Sequence, residues 1–247
     1  MKNILIHIPH SSLEIPEVFF SKTLVSKEEI SQFDLDMCDL YVDKLVDEMQ
    51  YNILKFNYSR LFCDVERFVN DDLEIMAKKG MGVVYTKDYN DKVFIKYDDE
   101  YKKNILNDYY YKHHEKLNNM CEYLLNKYNK CLIIDLHSFS DKVVLKTLNK
   151  KNNPDICLGI DYNFYDKNLE EFIVGYFKKR NYSIAINYPY NGSIVPNKYN
   201  DEKDRLISIM IEINKRIYLD DFKINEKKFI KLKKDINQLL ISISNNL

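Results

Sequence analysis

Glycine and proline are scarce, five of each in 247 residues, so long flexible linkers between folded parts are not expected. Cysteine is as sparse. Cys38, Cys63, Cys121, Cys131 and Cys157 are odd in number and no two form a C-x-x-C pair. Neither a disulfide framework nor a cysteine zinc site follows, which leaves reduced thiols. No apolar run approaches membrane-spanning length, and Met1 and Lys2 lead straight into a strand-like run ending at Pro9, too short for a signal peptide. Basic charge is not in excess either. The 37 Lys plus Arg face 38 Asp plus Glu, a formal net charge of -1, which argues against a nucleic-acid or membrane-surface binder. No G-x-S-x-G elbow, G-x-G-x-x-G or P-loop is present, so a serine nucleophile and a nucleotide cofactor both lack positional support. What these absences leave is a soluble, cytoplasmic protein. Its 45% hydrophobic and 30% charged residues predict an ordered chain, and nothing marks a boundary within 1–247.

The stretch CLIIDLHSFS, residues 131–140, organises the rest. Cys131, Leu132, Ile133, Ile134 and Leu136 are apolar and Asp135 is the sole interruption, the pattern of a strand buried on both faces of a parallel sheet. The run ends at His137, Ser138 and Ser140, where a strand meets a loop and open α/β sheets bind ligands. NILIHIPHSS ends in the same way at His10, Ser11 and Ser12, with Pro9 closing the strand. Further strands are expected at NILKFN (52–57), PDICLGID and YSIAINYPYNG, and GMGVVYT and DKVFIKY read as a pair. In LISIMIEIN the period of two sets Glu212 with Ser208, Met210 and Asn214, opposite four isoleucines.

Helices alternate with these strands. Ser26 and Glu29 make a capping box that opens a helix from about Lys27 to Gln50, with Val42, Leu45, Val46 and Met49 at helical spacing. Others are expected at 99–128, at 166–179 with Asp166 as N-cap, and from Glu226 to the last residue. His113 and His114 point about 100° apart on their helix and cannot share one metal, so both read as a solvated face, as do Glu74, Lys78 and Lys79. The alternation predicts a mostly parallel sheet flanked by helices.

Polar groups gather at strand ends or on strand faces: His10, His137, Asn187, Tyr190 and Glu212. Two histidines plus one carboxylate with an open position is the donor set of a catalytic zinc site, and buried histidines bonded to backbone are the competing reading. SRLFCDVERF supplies Arg60 and Arg67 with Asp64 and Glu66 between them. An arginine fork suits a substrate carboxylate or a developing oxyanion, and Arg60–Asp64 or Arg67–Glu66 surface pairs are equally open.

The segments IPHSS, CDLYVDKL, SRLFCDVERF, GMGVVYT, IIDLHSFS, PDICLGID, NYPYNGSIVP and IMIEINKRIYLD, in that order along nearly the whole chain, resemble the N-formylglutamate amidohydrolase family. The resemblance implies a single α/β domain, a three-layer α/β/α fold with a mixed, mostly parallel sheet like that of zinc carboxypeptidases. It implies a hydrolase that splits the amide of an N-acyl amino acid, typically N-formyl-L-glutamate to formate and glutamate in histidine degradation, and depends on Zn2+ or another divalent metal. By the same resemblance His10, Asp39 and His137 are the metal ligands, with Glu66 in reserve, and Glu14 is disfavoured by Pro16 close behind it. Glu212 is the general base, Arg67 assists catalysis, and Arg60, Arg216, Asn187, Tyr190 and Ser138 bind substrate. A deacylase or carboxypeptidase-like hydrolase of another N-acyl amino acid, or a non-catalytic small-molecule-binding protein on the same scaffold, are the other outcomes to be tested. IPHSS lacks the glycine that many relatives carry after the first serine, and NGS has one glycine where many have two, departures that bear on substrate more than on fold.

Overall fold

The near-continuous apolar runs fold as strands at the centre of the molecule. In the computed structural model, which describes residues 3–47, 50–199 and 201–246, six strands form one sheet. They are β1 (Ile4–Ile8), β2 (Asn52–Lys55), β3 (Cys131–Phe139), β4 (Ile156–Ile160), β5 (Ile184–Ile186) and β6 (Leu206–Asn214), in the order β2-β1-β3-β6-β4-β5. The pairings β1/β2, β1/β3, β3/β6 and β4/β5 are parallel and β4/β6 is antiparallel, so the sheet is mixed and mostly parallel. A two-stranded ribbon, β7 (Leu219–Asp220) with β8 (Lys223–Ile224), stands apart.

The helices are α1 (Glu17–Phe20), α2 (Lys27–Met37), α3 (Asp99–Ile105), α4 (Tyr111–Tyr128), α5 (Asp141–Leu148), α6 (Lys167–Lys178) and α7 (Glu226–Asn246). Side-chain alternation decides what covers each face of the sheet. Ile6, Ile8, Ile134, Leu136, Ile211 and Ile213 pack with Ile173 and Phe177 of α6 and Leu232, Ile236 and Leu239 of α7. Leu5, Ile133 and Leu206, on the other face, meet Leu117, Cys121 and Leu124 of α4. Three layers result. Burial of each of these Ile or Leu side chains stabilises the fold by roughly 1.5–3 kcal/mol. A further aromatic core, with Phe19, Phe33, Phe62, Tyr85 and Phe94, holds the segment between β2 and α3 against α1 and α2. Among the described residues no helix is long and apolar enough to cross a membrane.

Several expectations are corrected. The helix that opens at Ser26, with its capping box formed, stops at Met37 rather than near Gln50. Tertiary bonds win there: Asp39 N–H and the Cys38 thiol both donate to the His10 carbonyl, at 2.8 and 3.2 Å. Val42–Leu45 is a short 3-10 turn, and Met49 lies outside the described residues. GMGVVYT and DKVFIKY do not pair as strands, and the segment makes only isolated bridges, Met81 with Tyr85, Lys87 with Val93 and Thr23 with Ile95. The helical stretch at 99–128 contains a π turn at Leu106–Tyr110 between α3 and α4, and neither His113 nor His114 is a solvated face. Glu74 is buried as well, accepting from Met76 N and Phe68 N.

Candidate active site

Strand register brings the polar interruptions together on the α4 side of the sheet. His7 stands opposite Asp135, and His137 opposite Glu212, which in turn stands opposite Cys157. Each belongs to a strand buried on both faces, where a polar side chain is retained only with partners. His10 follows β1 and turns in beside His137, their Nδ1 atoms 3.3 Å apart. The break after α2 delivers Asp39, whose Oδ2 is 3.0 Å from His137 Nδ1 and 3.8 Å from His10 Nδ1. All three residues are buried.

The other nitrogen of each ring faces a carboxylate. His10 Nε2 is 2.8 Å from Asp64 Oδ1, and His137 Nε2 is 3.0 Å from Asp135 Oδ1 and 3.2 Å from Glu66 Oε2. Carboxylates only accept, so His10 Nε2 carries its proton toward Asp64 and leaves Nδ1 bare, whereas the aligned hydrogen bond of His137 runs from Nδ1 to Asp39 and its Nε2 makes none. Without a proton on His137 Nδ1, two lone pairs and a carboxylate oxygen would face one another, an arrangement that repels unless a cation lies among them. A proton is one such cation. Burial opposes charging His137, yet Glu66 and Asp135 outweigh it and raise its pKa well above the usual imidazole value. Burial, reinforced by Arg60, holds His10 down and neutral. Burial would raise Asp39, but the hydrogen bond and charge of His137 bring it below the ordinary carboxylate range.

A divalent metal is the other cation, and the residues present fit it. The ligand atoms of His10, Asp39 and His137 lie within 4.8 Å of one another, and Asp39 Oδ1 is buried with no hydrogen-bond partner. Two imidazoles and a carboxylate are a catalytic zinc donor set, and a carboxylate behind each imidazole is its usual support. Beside this cluster, Glu212 Oε2 is buried without a partner, and burial above all, with Asp39 adding and His137 opposing, pushes the Glu212 carboxyl up to about 8.

A positive centre adjoins. Asp64, fully buried, accepts from Arg60 at 2.9 Å and from the Tyr85 hydroxyl at 2.9 Å, and stands 3.5 Å from Arg67 Nε. Two guanidiniums share this one carboxylate at close range, and Asp39 and Glu74 act on them from further away. Burial would raise Asp64, but the charges of Arg67, His10 and Arg60 hold it well below the usual range. Tyr190 packs edge-on against Phe139 at 5.9 Å, and burial, with Glu212 next, raises its hydroxyl.

A family model described as N-formylglutamate amidohydrolase matches residues 2–219. The chain belongs to that family. Its reaction type is therefore hydrolysis of a linear amide. The crystal structure of N-formylglutamate amidohydrolase from Ralstonia eutropha JMP134 superposes with a TM-score of 0.85 at 20% identity, over 99% of this chain and 93% of that one. That of gene product Atu2144 from Agrobacterium tumefaciens gives 0.71 at 16% identity, over 99% and 90%. These two likenesses are of fold. No curated protein matches.

Within this N-formylglutamate amidohydrolase fold the predicted residues divide. His10, Asp39, His137, Glu212, Arg60, Arg67 and Tyr190 converge, and Glu66 joins them through His137. Arg67 turns to Asp64 rather than Glu66, and the Arg60–Asp64 pair is interior rather than a surface pair. Three residues are engaged elsewhere. Asn187 bonds the backbone N–H and carbonyl of Ile160, Arg216 pairs with Asp141 and Asp155 at 2.9 Å each on the surface, and alternation turns Ser138 to the face opposite His137. Glu14 is exposed. Sequence reasoning gave no site role to His7, Asp64, Asp135 or His113. For His7 and Asp135 the signal was available, since a polar residue inside a strand buried on both faces needs a partner of its own.

Proposed function

We propose that the chain is a divalent-metal-dependent amidohydrolase that cleaves the formyl amide of an N-formyl amino acid, N-formyl-L-glutamate plus water giving formate and L-glutamate. The observation that carries the reading is the pair of imidazole Nδ1 atoms 3.3 Å apart, facing the Asp39 carboxylate, with a carboxylate behind each ring. Family membership supplies the amide and the formyl group. His10, Asp39 and His137 are the ligands. When bound, a zinc ion there supplies Lewis acidity, polarising the amide carbonyl and acidifying water.

The chain's own groups do the rest. Glu212 takes a proton as water oxygen bonds to the formyl carbon, then gives it to the amine nitrogen as the C–N bond breaks. Burial favours the protonated form of this carboxyl, and a divalent cation beside it would favour the ionised form that accepts the proton first. Arg60 and Arg67, in excess over Asp64, draw in a substrate carboxylate and steady the developing oxyanion, and Tyr190 limits the space beside Glu212. Asn187 and Arg216 take no part in this scheme, being held by Ile160 and by Asp141 and Asp155.

The test is metal content of untagged protein, combined with kcat/KM for N-formyl, N-acetyl and N-succinyl amino acids before and after chelation. One zinc per chain, highest kcat/KM for N-formyl-L-glutamate, and loss of activity on chelation are expected. Activity that survives removal of all divalent ions would overturn the metal, and preference for a longer acyl group would overturn the substrate.

A further inference from the structure

Behind His137 runs a line of buried polar groups that the scheme above leaves unused. Asp135 Oδ1 is 2.8 Å from His7 Nδ1 and 3.0 Å from His137 Nε2, and His7 Nε2 is 2.8 Å from His113 Nε2. All four residues are buried, His7 fully so. A carboxylate oxygen accepts and never donates, so His7 Nδ1 carries a proton, while His137 Nε2 meets Asp135 as a close charge contact without an aligned hydrogen bond. His7 Nε2 is then bare and takes its hydrogen bond from His113 Nε2–H. Each proton position fixes the next.

His113 reaches β1 because of the π turn. Its one extra residue advances everything after it by about 100° around the helix, and π turns of this kind collect at functional sites. His113 therefore shares the inward face with Leu117 and Cys121. Mutual satisfaction of buried polar groups would be the plainer role for His7 and His113. Glu66 makes that insufficient. Its Oε2 lies 3.2 Å from His137 Nε2 and its Oε1 3.7 Å from His7 Nδ1, so a second carboxylate competes for the same edge of the His137 ring. An Asp135 held by His7 keeps its place in that competition.

We propose that His7 and His113 are positioning residues acting through Asp135, which they hold against the Nε2 edge of the His137 ring so that Nδ1 stays toward Asp39 and His10. The inference rests on the metal-dependent reading given above. Its test is zinc affinity, by competition with a chromophoric chelator, of His7→Leu, His7→Asn, His113→Leu and His113→Gln, together with 15N NMR of the histidine rings in metal-free wild type. Asn offers an amide N–H near the Nδ1 position and Gln near Nε2. Both Leu variants should bind zinc more weakly, His7→Leu by about 10–100-fold. The amide variants should come within about threefold of wild type, at one zinc per chain throughout. The wild-type spectrum should show His7 protonated on Nδ1 and bare on Nε2. Wild-type affinity in both Leu variants, or His7 protonated on Nε2 instead, overturns the proposal. Two zinc ions per wild-type chain, one of them lost in His7→Leu, would also overturn it by making His7 a ligand. Where His7→Leu does not fold, the His113 pair carries the comparison. Wild type that binds no zinc removes the metal-dependent reading, while the ring spectrum still decides this one.

Discussion

Replacing Asp64 with asparagine removes one charge and almost no volume, which isolates what that charge does. Its carboxylate is fully buried and takes hydrogen bonds from His10, Arg60, Tyr85 and the Glu66 backbone, with Arg67 3.5 Å away. Neutralised, it leaves two interior guanidiniums without a counter-charge, and removing one partner from a buried ion pair costs about 3–5 kcal/mol. For a chain of this size each kcal/mol lowers Tm by about 2–4 °C, so a fall of roughly 6–20 °C is expected. Behind the His10 ring a neutral amide oxygen replaces a carboxylate, and the weaker acceptor should lower zinc affinity by up to about 10–100-fold. Calorimetry with and without zinc measures both effects. Arg60→Gln added to Asp64→Asn should restore part of the loss, because one of the two uncompensated charges is gone, and contacting residues of this kind couple by about 0.5–3 kcal/mol. Strictly additive losses, or a single mutant with wild-type Tm, would refute the account of Asp64 as the counter-charge of two arginines.

Glu212→Gln keeps the shape of the side chain and removes its capacity to accept a proton. Turnover should fall by about 10²–10⁴-fold with zinc content and KM nearly unchanged, and a variant retaining wild-type kcat would end the assignment of Glu212 as base. Asp34 offers a test of pH dependence away from the metal cluster. Burial outweighs its hydrogen bond from Ser59 and raises it to about 7 from 3.8, so the folded state keeps a proton that the unfolded state has released, and stability falls as pH rises across that window. At pH 8 Asp34→Asn should therefore be more stable than wild type by up to about 4 kcal/mol, and the two should converge below pH 4. Equal denaturation midpoints at pH 8 would show that Asp34 is not held protonated.

The strands that carry the site were legible because burial on both faces writes an unmistakable run of apolar residues, and β6 even declared which face holds Glu212. The helix break that delivers Asp39 was not. Val42, Leu45 and Val46 keep helical spacing through it, and what ends α2 is the His10 carbonyl, 28 residues from Cys38 in sequence. Charged residues were the least legible. Nothing in IEINKRIYLD tells whether Arg216 turns inward or, as it does, toward Asp141 and Asp155 from two other segments. His113 was hidden for a related reason. Its neighbours Lys112, Glu115 and Lys116 suggest an outward stretch, and only the partner on β1 makes the position an inward one.

The π turn at Leu106–Tyr110 has a bearing on how this stretch can vary. It works like a gear tooth: each residue gained or lost there re-indexes all of α4 against the sheet. Side chains along its outer surface can change freely. The count of residues between Asp98, which caps α3, and His113 sets whether that ring meets His7.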